Sequence, residues 1–201
     1  MKYILVLSFL AIFVACKPEF KTPELERNFT SAEISDLKKL VDFFKTNLCE
    51  NNTSNFNKCF EEFAPKWIEN GLDFSTDKIT FAELENIYSG INQNTFDEIW
   101  DFCMTYQIGP TEREYLDVCS KKDGKYQKFL KDFGKSNKLV EKYYNQIMAA
   151  GDFNESGGII SQIWNERKEI DLDNPNYQIL ISIHILTMND QFLRNRMTSD
   201  K

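Results

Sequence analysis

Residues 30–48 read TSAEISDLKKLVDFFKTNL, and the reading of this stretch decides the fold class. Thr30 and Glu33 have the spacing of a capping box. The threonine hydroxyl accepts the N–H three residues on, and the glutamate reaches back to the cap's own N–H. Behind the cap, Ile34, Leu37, Leu40, Val41, Phe44 and Leu48 recur every three or four residues. That period gathers them on one face and predicts a helix ending near Leu48.

The same grammar continues outward. Asn51-Asn52-Thr53-Ser54 breaks the first helix, and Phe56, Cys59, Phe60, Phe63 and Trp67 predict a second, closed by Asn70-Gly71 and interrupted or kinked at Pro65. Thr80 with Glu83, Thr95 with Glu98, and Thr111 with Glu114 repeat the T-x-x-E spacing, each before a helical apolar pattern. The last two predict helices carrying Phe96, Ile99, Trp100, Cys103 and Met104, and then Tyr115, Leu116 and Cys119. Tyr126 to Phe133, stopped by Gly134, and Leu139 to Met148, stopped by Gly151, continue the series. Toward the end, Ile179, Ile181, Ile183 and Ile185 alternate as in a strand, but Leu180 and Leu186 fill the other face. A buried strand and a buried helix give the same pattern. With Asn174-Pro175 as cap and first turn, residues 176–188 read better as helix. The prediction is an all-α, compact bundle of about seven to nine helices in a single domain, residues 30–201.

The first sixteen residues, MKYILVLSFLAIFVAC, stand apart. Lys2 precedes an apolar run from Ile4 to Ala15, too short at about 18 Å of helix to span a bilayer. This is the form of an export signal, to be left out of fold reasoning. The run ends Phe13-Val14-Ala15-Cys16 and turns polar at Lys17-Pro18-Glu19. In this it resembles the signal of bacterial lipoproteins, with Phe13 in place of the usual leucine. The resemblance implies cleavage before Cys16, lipidation of that cysteine and attachment to the bacterial envelope. An ordinary secretory peptide, leaving a soluble secreted protein, is the alternative. Residues 17–29, with two prolines and no periodicity, read as a flexible tether.

Cysteine parity agrees with export. With Cys16 set aside, Cys49, Cys59, Cys103 and Cys119 remain. An even number suits a compartment where disulfides persist. Pairing neighbours in sequence gives Cys49–Cys59 and Cys103–Cys119, each closing a short loop between two predicted helices. Zinc fits poorly, because no C-x-x-C occurs and the single histidine, His184, is distant in sequence.

Charge narrows the partners. The chain carries 24 basic and 31 acidic side chains, a formal charge of −7. That balance argues against nucleic acid and gives no general attraction to an anionic membrane, so membrane attachment falls to the lipid. Seventeen phenylalanines, eight tyrosines and three tryptophans mark a chain that folds. Some of these aromatics are in excess of one core and suit a protein-binding surface.

Chemistry is harder to place. Asp152, Asn154 and Ser156 with Gly157 resemble the first half of an EF-hand calcium loop, but the twelfth position is Ile163, which has no oxygen to offer. Glu83 closes a second half-match whose first position is Leu72; a helix cap explains it better. His184 lies between Ile183 and Ile185 and reads as a buried core histidine. No nucleotide-binding, zinc-protease or serine-nucleophile motif occurs, and no cofactor is expected. The expectation is a lipid-anchored binder of another protein, with opposite charge favouring a basic one. Two alternatives remain open. An acid-dependent hydrolase of envelope glycans would show a cleft with two carboxylates of raised pKa. A small-ligand pouch would show a closed apolar cavity.

Overall fold

A computed structural model of the chain describes residues 20–50, 55–107, 112–153 and 158–199. In chain order these form α1 (Pro23–Asn28), α2 (Ser31–Leu48), α3 (Phe56–Asn70), α4 (Leu72–Thr76), α5 (Phe81–Ser89) and α6 (Gln93–Asp97). The hairpin strands β1 (Trp100–Gln107) and β2 (Arg113–Ser120) follow, then α7 (Lys125–Gly134), α8 (Lys138–Ala150), α9 (Ile159–Glu166) and α10 (Pro175–Ser199).

The molecule is built around α10. Its residues Ile179, Leu180, Ile181, Ile183, Ile185 and Leu186 are all fully buried, so this stretch of the helix carries apolar side chains all round and neighbours surround it. This explains the strand-like alternation in the sequence: it records burial all round. Asn174 caps the helix by accepting the Asn176 N–H at 2.9 Å, and Pro175 occupies the first turn. The helix extends past Met188 to Ser199. Packed on it are α2, α4, α5 and β2.

The capping boxes at Thr30 and Thr80 are both formed, with side chain and backbone exchanging hydrogen bonds in each. Thr95 is different. It lies inside α6, whose cap is Asn92, and its hydroxyl donates to the buried Asp36 at 2.8 Å. Burial works to raise the Asp36 pKa. The Lys39 ammonium, the Asn92 N–H and the Thr95 hydroxyl outweigh burial and hold it below the usual range. Thr111 falls outside the described residues.

The fold class therefore needs correction. The protein is mostly helical, with ten helices among the described residues, but 100–120 form an antiparallel hairpin where two helices were expected. Trp100, Phe102, Met104 and Tyr106 alternate along β1, and only strand geometry puts residues two apart on one face. A second correction concerns the tether. Within 17–29, α1 is a capped helix: Thr22 accepts the Leu25 N–H, Pro23 sits in the first turn, and Leu25 is buried. Arg27 then ties α1 to Asp132 of α7 at 2.8 Å.

Both disulfides pair as expected. Cys49–Cys59 joins the end of α2 to α3, and Cys103–Cys119 joins β1 to β2, two strands rather than two helices. Paired cysteines indicate an oxidising environment of the kind met on export. No described helix is long and apolar enough to cross a membrane.

Candidate functional site

The hairpin is anchored at its root and exposed beyond it. Trp100 opposes Ser120, Phe102 opposes Val118, Met104 opposes Leu116 and Tyr106 opposes Glu114. These pairs share one face. At the root, Trp100 and Val118 are buried, and the Trp100 indole N–H donates to Thr187 of α10 at 2.8 Å. Further out the same face opens: Phe102 is 49 % exposed, Met104 55 %, Leu116 51 % and Tyr106 67 %. Phe102 still leans on Phe96, ring centroids 5.9 Å apart, and on the Arg194 guanidinium at 5.5 Å. Four large apolar residues thus form a continuous exposed strip. The Cys103–Cys119 bond lies on the opposite face, where Cys103 is one diagonal step from its partner because it directly opposes Asp117.

That opposite face closes over a cleft. Thr105, Tyr115 and Asp117 from the hairpin, Met188, Gln191, Phe192 and Asn195 from α10, and Leu72 and Asp152 enclose about 160 Å³. Asp117 accepts the Val118 N–H at 2.9 Å. Burial pushes its carboxyl up to about 6; the Val118 N–H opposes this, and the negative charges of Asp152 and Asp190 add to it. Burial also raises Asp152, against the pull of Gln191 and the Phe153 N–H. The Gln191 amide donates to both Asp152 oxygens, at 2.8 and 3.0 Å, and to the Val118 carbonyl at 2.8 Å. Asp190 is raised by burial and held back by its ion pair with Arg194.

The structure brings few of the sequence candidates together. Of the calcium half-loop, Asp152 lies in this cleft, bonded to Gln191, while Asn154 and Ser156 lie outside the described residues, as does Cys16. Among the described residues, no three His, Cys, Asp or Glu side chains group as metal ligands. His184 is buried in α10, its Nδ1 3.3 Å from the Tyr143 hydroxyl. Glu83 is inside α5 and completes the capping box by accepting the Thr80 N–H. Asp117 was not among the acids singled out from sequence. Nothing local marks it, since the charges that act on it, Asp152, Asp190 and Arg194, come from α10 and from the segment after α8. The exposed strip did leave a signal: Phe102, Met104 and Tyr106 alternate, and Gly109-Pro110 lies near the midpoint between Cys103 and Cys119.

Two further clefts are open and charged. One, of about 240 Å³, runs beneath Phe102 between Tyr88, Phe96, Glu85 and Arg194. The other, of about 320 Å³, is lined by Arg27, Asn28, Lys128, Lys131, Asp132 and Lys135 at the α1–α7 junction. Comparison with protein-family models, curated proteins and solved structures finds no match to this chain.

Proposed function

We propose that this protein is exported, held at the bacterial envelope by a lipid on Cys16, and binds another protein through the outer strip of its hairpin. The observation that carries the reading is the strip itself: Phe102, Met104, Tyr106 and Leu116, adjacent and each about half exposed or more. Large apolar side chains grouped at the surface are the usual mark of a protein-binding site. A disulfide across the strands lowers the ordering cost of association, because the arm is already shaped. The −7 charge favours a partner with basic residues around its own apolar patch.

The test is a photo-reactive aromatic residue at Tyr106 in the full-length protein, expressed in its host. A discrete adduct is expected, and it should vanish in the Met104→Ser/Leu116→Ser variant. Adducts of equal yield from a label at exposed Lys58 would overturn the reading.

One observation favours a second reading, an acid-dependent glycan hydrolase: Asp117 and Asp152 share a cleft and both carboxyls are raised. Size stands against it. Sites that engulf a small ligand hold roughly 300–1,000 Å³, and this cleft holds about 160 Å³. Loss of envelope-glycan turnover in Asp117→Asn, with the hairpin strip intact, would reverse that ranking. A ligand pouch has less support, since none of the three clefts described is a closed apolar cavity: charged side chains line each of them.

A further inference from the structure

From the charge at the α1–α7 junction we infer that this face rests on anionic phospholipid headgroups. It adds an electrostatic contact to the lipid proposed on Cys16 and rests on that reading for its placement. Lys128 and Lys131 on the outer side of α7, and Lys135 just past its end, follow one another at spacings of three and four residues, all exposed. Arg27 of α1 joins them across a shared concavity of about 320 Å³. Four cations meet one carboxylate in its lining, Asp132, which is already paired with Arg27 and Lys135. Lys128 and Lys131 have no carboxylate partner among the described residues. The nearby acids on α1 are Glu24, held by Arg27 and Asn176, and exposed Glu26. The patch is therefore locally positive on a chain whose total is −7.

Position gives the second argument. Residues 17–22 join Cys16 to α1, and six residues reach at most about 20 Å. A face built from α1 and its neighbour α7 is thus kept close to any bilayer that holds the acyl chains. At physiological salt the Debye length is about 8 Å, whereas a body of this size has a radius of gyration of about 16 Å. Acids on the far side are screened from the surface, and the lysines facing it are not. Each such cation favours an anionic leaflet by about fivefold in partition.

The test uses the mature chain from Cys16 with Cys16→Ser, so that no acyl chain hides the electrostatic contribution. Vesicles of phosphatidylcholine alone are compared with vesicles containing one-third phosphatidylglycerol. Preferential binding to the second is expected. It should be lost at 0.5 M salt and reduced on the order of 100-fold by Lys128→Gln/Lys131→Gln/Lys135→Gln. A control triple, Lys38→Gln/Lys58→Gln/Lys66→Gln, changes total charge equally and should bind as the parent does. Equal binding to both vesicle types, or an equal fall in both triples, overturns the inference. Intact mass of the unsubstituted protein separately reports acylation of Cys16, so failure of the anchor and failure of the basic face are distinguishable.

Discussion

Trp100 and Thr187 join the hairpin to the central helix: the indole N–H donates to the threonine Oγ1 at 2.8 Å, and that hydroxyl donates to the Ile183 carbonyl at 2.7 Å. Both side chains are buried. Thr187→Val keeps the shape and removes the acceptor, leaving a buried N–H unpaired. The expected cost is about 1–3 kcal/mol by urea denaturation. Amide exchange in β1 should rise more than exchange in α2, because the lost bond holds the root of the arm.

Cys103–Cys119 closes a loop across 16 positions, and Cys49–Cys59 one across 10. Loop-closure arguments give a bond of this span about 3 kcal/mol. Cys103→Ser/Cys119→Ser should lower stability by about that amount and loosen the hairpin while α10 keeps its protection. Hydrogen exchange on oxidised and variant protein checks it. Uniform loosening of α10 would show that the hairpin and the body fold as one unit.

Much of this architecture was legible, and the failures have a common cause. Helix starts were readable where a cap uses only neighbours, as at Thr30, Thr80 and Asn174. Thr95 has the same local form, but a buried carboxylate from α2 takes its hydroxyl. The hairpin is ambiguous in sequence because Ile99, Trp100, Cys103 and Met104 fit a helical period while Trp100, Phe102, Met104 and Tyr106 fit a strand period equally well. Packing against α10 breaks that tie, and no local pattern shows it. The start of α1 is marked by Thr22-Pro23, but a helix of six residues is too short for an apolar period to show it. Asp117, Asp152 and Asp190 meet only in three dimensions, so no motif could have joined them.

Asp117 makes a pH prediction whose sign is opposite to the usual carboxylate. Its folded value, about 6, lies above the unfolded value of about 3.9. The native state therefore keeps a proton that the unfolded chain has released. The favourable contribution is complete below about pH 4 and is lost as pH rises through 6. Asp117→Asn accepts the same Val118 N–H without a charge. Above pH 6 it should be more stable than the parent by about 1–2 kcal/mol, allowing for partial screening by solvent. The difference should vanish below pH 4. Urea midpoints at pH 3.5, 5 and 7 decide the matter, and a variant less stable at pH 7 would contradict it.

His184 pulls the other way. Burial lowers its pKa to about 3, against about 6.5 when unfolded. Neutral imidazole is favoured in the native state, so its contribution is full above pH 6.5 and is lost as pH falls toward 3. Because it is the single histidine, its ring protons give one set of imidazole resonances. Those should stay at neutral-ring shifts from pH 8 down to 5, and titration near 6.5 would show that the ring reaches water.

Met104 and Leu116 stand directly opposite each other, both about half exposed. A cross-strand apolar pair contributes about 0.2–1 kcal/mol, and surface substitutions away from special features usually stay within about 0.5 kcal/mol. Met104→Ser/Leu116→Ser should therefore move the urea midpoint little and leave the far-ultraviolet spectrum unchanged. The same double variant should lose the Tyr106 cross-link. These two results together mean that the strip contributes to association and little to folding. If the variant unfolds instead, the strip belongs to the fold, and the binding role assigned to the hairpin loses its one supporting observation.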